Sequence, residues 1–127
     1  MRPWPLFLLL PLAACAPAAV SATPTGPAAV VAGFADALRH RDGAAACALL
    51  SAPARADLDP SCAEEVLRLG LRTGPPGPAE VWGDAARVRA AGDTVFVSAY
   101  REGWRITGAG CESRGEDLPY ACELGGP

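Results

Sequence analysis

The run Gly74-Pro75-Pro76-Gly77-Pro78 divides the chain into two stretches with different hydrophobic periods, and that division decides the fold class. Proline holds φ near one value and has no N–H to donate, so three prolines in five residues exclude a helix interior or a central strand. The run reads as an internal hinge. It is no domain boundary, because the roughly 50 residues on either side of it are too few for a separate core.

Before the hinge the period is helical. Val30, Val31, Phe34, Ala37 and Leu38 recur at intervals of three and four residues, which places them on one stripe of a first helix starting near Ala28. Gly33 weakens that helix without breaking it. Asp42 and Gly43 interrupt the pattern, and Asp42 is placed to cap a second helix through Ala44 to Leu50. Pro53 is expected to end it, with a short turn or helical piece through Asp59. Ser61 and Glu64 have capping-box spacing ahead of Val66, Leu67 and Leu69, so a third helix is predicted from about Ser61.

After the hinge the period is two. Val81 and Trp82 lead to a Gly83-Asp84 turn, and Ala86, Val88 and Ala90 alternate with Arg87 and Arg89 as far as a Gly92-Asp93 turn. Val95, Val97 and Ala99 alternate with Phe96, Ser98 and Tyr100, and Glu102-Gly103 leads into Trp104, Arg105 and Ile106. A last short strand is expected around Ala121 to Leu124. Helices followed by an antiparallel meander make the predicted class α+β.

The first 14 residues have the layout of an export signal: a charge at Arg2, an apolar run from Leu6 to Pro11, then small Ala13 and Ala14. The apolar run is well short of the roughly 20 residues a membrane-spanning helix needs. Leu12-Ala13-Ala14-Cys15 resembles the lipobox of bacterial lipoproteins, with Leu at minus three and small residues before the cysteine. That resemblance implies cleavage after Ala14, a diacylglyceryl group on the Cys15 sulfur and an acylated new amino terminus of the palmitate type. Each buried methylene contributes about 0.8 kcal/mol, and two or more chains anchor durably where one does not. Ala16 to Pro27 carry no charge and little to bury, so they are expected to form a flexible tether. The expected organisation is therefore a signal peptide over 1–14, a lipidated cysteine and tether over 15–27, and one domain over 28–127. The expected location is the extracytoplasmic face of the cell membrane, held by lipid.

With Cys15 assigned to lipid, Cys47, Cys62, Cys111 and Cys122 remain, and an even number in a small exported domain reads as two disulfides. Four cysteines allow three connectivities. Cys47 with Cys62 and Cys111 with Cys122 is the favoured set, because the first pair falls on neighbouring predicted helices and the second on neighbouring predicted strands. No Cys-x-x-Cys occurs and the chain has a single histidine, so neither a metal site nor a cofactor is expected. Every residue of the basic pair Lys and Arg is arginine, the net charge is -3, and losing Arg2 with the signal makes it one unit more negative. An acidic chain without a basic cluster interleaved with aromatics argues against nucleic acid as a partner.

The order of three helices and a sheet, with Ala45-Ala46-Cys47-Ala48-Leu49-Leu50, Glu80-Val81-Trp82-Gly83-Asp84, Gly103-Trp104-Arg105-Ile106 and Tyr120-Ala121-Cys122, resembles a family of small actinobacterial lipoproteins with an NTF2-like domain. That superfamily includes SnoaL-like and ketosteroid-isomerase-like proteins. The resemblance implies helices packed on a curved antiparallel sheet that forms a cone. In the superfamily's enzymes it implies an acidic base with a Tyr, Asp or His partner inside that cone, because proton abstraction beside a carbonyl needs a base and a donor for the developing oxyanion.

Candidates for such roles are Asp36, His40, Asp84 and Tyr100. Asp36 and His40 lie four apart and share a helix face, but the apolar stripe turns that face toward solvent, so a surface pair at a helix end is expected. Asp84 is expected to serve a hairpin turn. Trp82, Phe96, Tyr100 and Trp104 are candidates for a pocket wall that takes an apolar ligand. Function is then expected to be non-catalytic: a ligand-binding or protein-interaction module at the membrane, partnered by the bilayer through its anchor and by a small apolar ligand or an envelope protein. The alternatives are a SnoaL- or isomerase-like acid/base enzyme and a structural accessory subunit of a membrane complex.

Overall fold

A computed structural model describes residues 25–127 and, nearer the start, residues 2, 3 and 5; Cys15 and the rest of the lipobox lie outside the described residues. Helix α1 spans Pro27–Arg39 and buries Val30, Val31, Phe34 and Ala37 of the stripe predicted from spacing, while Leu38, its last member, is only half-buried. Pro27 stands in its first turn, where the missing N–H costs nothing. Among the described residues, no helix is long and apolar enough to cross a membrane.

Helix α2 (Gly43–Ala48) starts where predicted, with the Asp42 carboxylate accepting from Ala45 N at 3.0 Å. It stops earlier than expected, and Pro53 does not end it. The backbone leaves the helix so that Ile106 N donates to Leu49 O and Ser51 N donates to Ile106 O, both at 2.8 Å. Leu50 thereby forms a parallel bridge with Ile106. Pro53 instead sits in the first turn of α3 (Ala52–Ala56), whose Ser51 cap accepts from Ala54 N at 3.3 Å. Helix α4 (Cys62–Arg68) follows, but Ser61 does not form the predicted capping box. Its ψ of 43° is far from the extended conformation that aims a cap hydroxyl at the first turn, and its side chain makes no cap bond.

Five strands form one antiparallel sheet in sequence order: β1 (Pro76–Trp82), β2 (Ala85–Ala90), β3 (Asp93–Tyr100), β4 (Gly103–Glu112) and β5 (Ala121–Gly125). The fold is α+β, with helices before the sheet. The predicted hinge is corrected in one respect, since Pro76 to Pro78 belong to β1. An edge strand accepts them because half of its N–H groups face no neighbour, and the ladder slips register between Pro76 and Ala79.

Helix α1 crosses one face of the sheet, touching β1 to β4, and α3 touches β4 and β5. That face supplies Ala86, Val88, Val95, Val97, Ile106, Ala109 and Leu124 to a core completed by the helices. Cys47 and Cys62 are joined between α2 and α4, with 6.2 Å between their Cα atoms, and Cys111 is joined to Cys122, its partner across β4 and β5. Both pairs are those favoured from the sequence. Gly43 permits the first: a Cβ there would lie 1.8 Å from the Ala63 carbonyl oxygen, so no other residue allows α2 and α4 so close.

Candidate functional site

A groove of about 460 Å³ runs between α1 and the segment that leads from α4 into β1. Its origin is geometric. Since α1 turns Val31, Phe34 and Ala37 into the core, Ala32, Ala35, Asp36 and Arg39 are left along its flank. Two alanines leave open space there that larger side chains would fill.

The opposite wall, Leu71 to Pro76, is neither helix nor strand until its last residue, and its position comes from hydrogen bonds made by Thr73, Gly74 and Pro75, the last of which accepts from Ala91 N at 3.1 Å. The buried Thr73 hydroxyl donates to Asp93 Oδ2 at 2.5 Å, and Asp93 Oδ1 accepts from Cys111 N at 3.0 Å. Gly74 N donates to Ala91 O at 2.9 Å. A Cβ on Gly74 would meet that same carbonyl oxygen at 2.8 Å, so the wall's approach to the sheet depends on glycine. Leu38, Leu71, Pro75 and Pro76 make the groove mainly apolar, while Asp36, Arg39 and Arg72 supply its charges. The volume falls within the range of about 300–1,000 Å³ usual for small-molecule sites.

Of the sequence-predicted candidates, Asp36 and His40 meet, while Asp84 and Tyr100 lie apart from them and from this groove. Asp36 lines it, ion-paired with Arg39. His40 Nδ1 lies 2.9 Å from the Asp36 carbonyl oxygen and 3.5 Å from its carboxylate, and both side chains are more than half exposed. Exposed ions three and four apart on a helix are worth a few tenths of a kcal/mol. Asp84 lies in the β1–β2 turn, where its carbonyl accepts from Ala99 N at 2.7 Å. Tyr100 is half-exposed beside a separate hollow of about 300 Å³ that Ser51 and Asp57 also line.

Trp82 and Phe96 stand on the sheet face that the helices leave open, whereas Trp104, opposite Ala99 in the ladder, packs against the core. The open face has its own organising residue, Arg87. Its guanidinium donates to Glu80 at 2.7 Å and to the Tyr120 hydroxyl at 3.1 Å, and it lies 5.5 Å from the Trp82 ring centre. Tyr120 in turn meets Phe96 edge-on, with centroids 5.0 Å apart. The Glu80 hydrogen bond holds the Arg87 pKa above its usual value; burial opposes the rise and the Tyr120 bond adds to it. Its Nε is buried without a partner.

Protein-family models, curated proteins and solved structures were all compared with the chain, and none matches.

Among the described residues, no three His, Cys, Asp or Glu side chains are grouped to hold a metal ion. The groove wall and Arg87 are functional candidates that hydrophobic period does not reveal. Thr73 and Asp93 carried a weak signal as polar residues bordering apolar runs. Arg87 carried one as the charged residue between buried Ala86 and Val88.

Proposed function

We propose that the chain is a lipid-anchored extracytoplasmic binding module, whose domain holds a small apolar ligand between α1 and the 71–76 segment at the outer face of the cytoplasmic membrane. The observation that carries the binding half is the groove itself: about 460 Å³, walled by alanine, leucine and proline, with one wall fixed by Thr73 and Asp93. The anchor half rests on Leu12-Ala13-Ala14-Cys15 behind an apolar run, and the two disulfides support an oxidising compartment. An NTF2-like cone belongs to the same proposal. Its support is the order of helices before a meander, a fold-level analogy that names no activity.

Two measurements test these halves separately. Intact mass of the membrane fraction should show residues 1–14 removed and acyl mass on Cys15; an unmodified soluble chain with another start would refute the anchor. Ala35→Phe should fill the groove and abolish saturable binding of 1-decanol while leaving the thermal midpoint nearly unchanged. Undiminished binding by a folded Ala35→Phe protein would refute the groove as the ligand site.

A further inference from the structure

The charges along the groove do not cancel, and the remainder selects a ligand. Asp36 is matched by Arg39 and further satisfied by His40, so that corner of the groove has no net call on an ionic partner. Among the described residues, Arg72, on the opposite wall, has no carboxylate within 4.0 Å and makes no side-chain hydrogen bond. Asp93, which borders an adjoining hollow together with Arg72, has both carboxylate oxygens engaged by Thr73 and by the Cys111 backbone. Glu112 and Glu123 line the adjoining hollow that Arg72 also borders, and neither is paired with it. Among the described residues, the groove therefore presents an apolar trough with one unmatched cation, Arg72, at its side. A guanidinium is planar and offers parallel N–H donors, a geometry that fits a carboxylate bidentately and desolvates more readily than an ammonium.

We propose that the groove takes an amphipathic monocarboxylate, with an alkyl or aryl body against Ala32, Ala35 and Pro75 and its carboxylate on Arg72. This inference rests on the groove being the ligand site, and deepens that reading by naming the ligand's chemical class. An alcohol with the same body keeps the apolar contacts and loses only the ionic one, so a matched pair of probes separates the two claims.

The test uses the full chain carrying Cys15→Ser, titrated calorimetrically with decanoate and with 1-decanol below their aggregation limits. Decanoate should bind at least about tenfold more tightly than decanol, the scale of one charge-assisted hydrogen-bonded pair. Arg72→Gln should remove that preference and leave decanol binding unchanged. Arg89→Gln, on the open face of the sheet, should alter neither. Equal binding of the two probes, or a decanoate preference that survives Arg72→Gln, would overturn the inference while leaving the apolar groove standing. Failure of both probes to bind would overturn the groove reading and this inference together. Arg72 is exposed, so an unchanged thermal midpoint certifies that Arg72→Gln is folded.

Discussion

On one side of the sheet, Ala86, Val88, Val95, Val97 and Ile106 are closed off from water beneath α1. On the other side of the same strands, Arg87, Phe96 and Ser98 are only half-buried, and none of the helices among the described residues covers them. Both faces arise from one alternation of period two. The covered face stabilises through transfer of aliphatic surface from water, about 25 cal/mol per Å². The open face is held by a polar and aromatic tie from Glu80 through Arg87 to Tyr120, which fixes the chain just ahead of β5. Stability lies mainly beneath α1. The free flank of α1 is left to shape the groove, and neither sheet face has to serve as a ligand pocket.

Substitutions ranked by expected effect test that contrast. Ile106→Ala on the covered face should cost about 2–5 kcal/mol, read from urea unfolding, because it removes a fully buried branched side chain and leaves a cavity. A cost under about 1 kcal/mol would mean that the core does not depend on this face. Removing either disulfide by paired Cys→Ala changes should cost about 3 kcal/mol for the 15-residue separation of Cys47 and Cys62, and slightly less for the 11 residues between Cys111 and Cys122.

Arg87→Leu on the open face should cost less, about 1–2 kcal/mol, since Glu80 is nearly half exposed and regains water when its partner goes. A loss matching that of Ile106→Ala would erase the distinction between the faces. The pH dependence follows from the raised Arg87 pKa: its contribution is fully present below the unfolded arginine value and is lost only as pH rises through the folded one. Between pH 6 and 9, roughly, this tie should therefore add no slope to stability. Trp82→Ala should have the smallest effect, under about 1 kcal/mol, because the ring is mostly exposed and its principal loss is the contact with Arg87.

The elements with a strong period were legible in the chain. The α1 stripe, the β2 and β3 alternation and the Asp42 cap all follow from spacing and local chemistry, and the helix and strand reading led to both disulfides. What was not legible depends on contacts between distant residues. Leu50 leaves α2 because Ile106, more than fifty positions later, offers its backbone at the part of the β4 edge that β5 does not reach. Pro76 and Pro78 are tolerated because β1 lies at the sheet's edge, a fact of strand order. The groove's far wall has no period of its own, and Thr73 is placed by Asp93, twenty residues on. Arg72 therefore gains meaning only once the wall and α1 are seen facing one another.

In the proposed binding mode, ligand enters beside α1 and not on the open face of the sheet. Amide NMR shifts of the Cys15→Ser full chain, followed during titration with decanoate, test it most directly. Perturbations should concentrate at Ala32, Ala35 and Arg39 and at Leu71 to Gly74, with the signals of Trp82, Arg87, Phe96 and Tyr120 unmoved. Shifts centred on that second set, or no saturable shift anywhere, would contradict it.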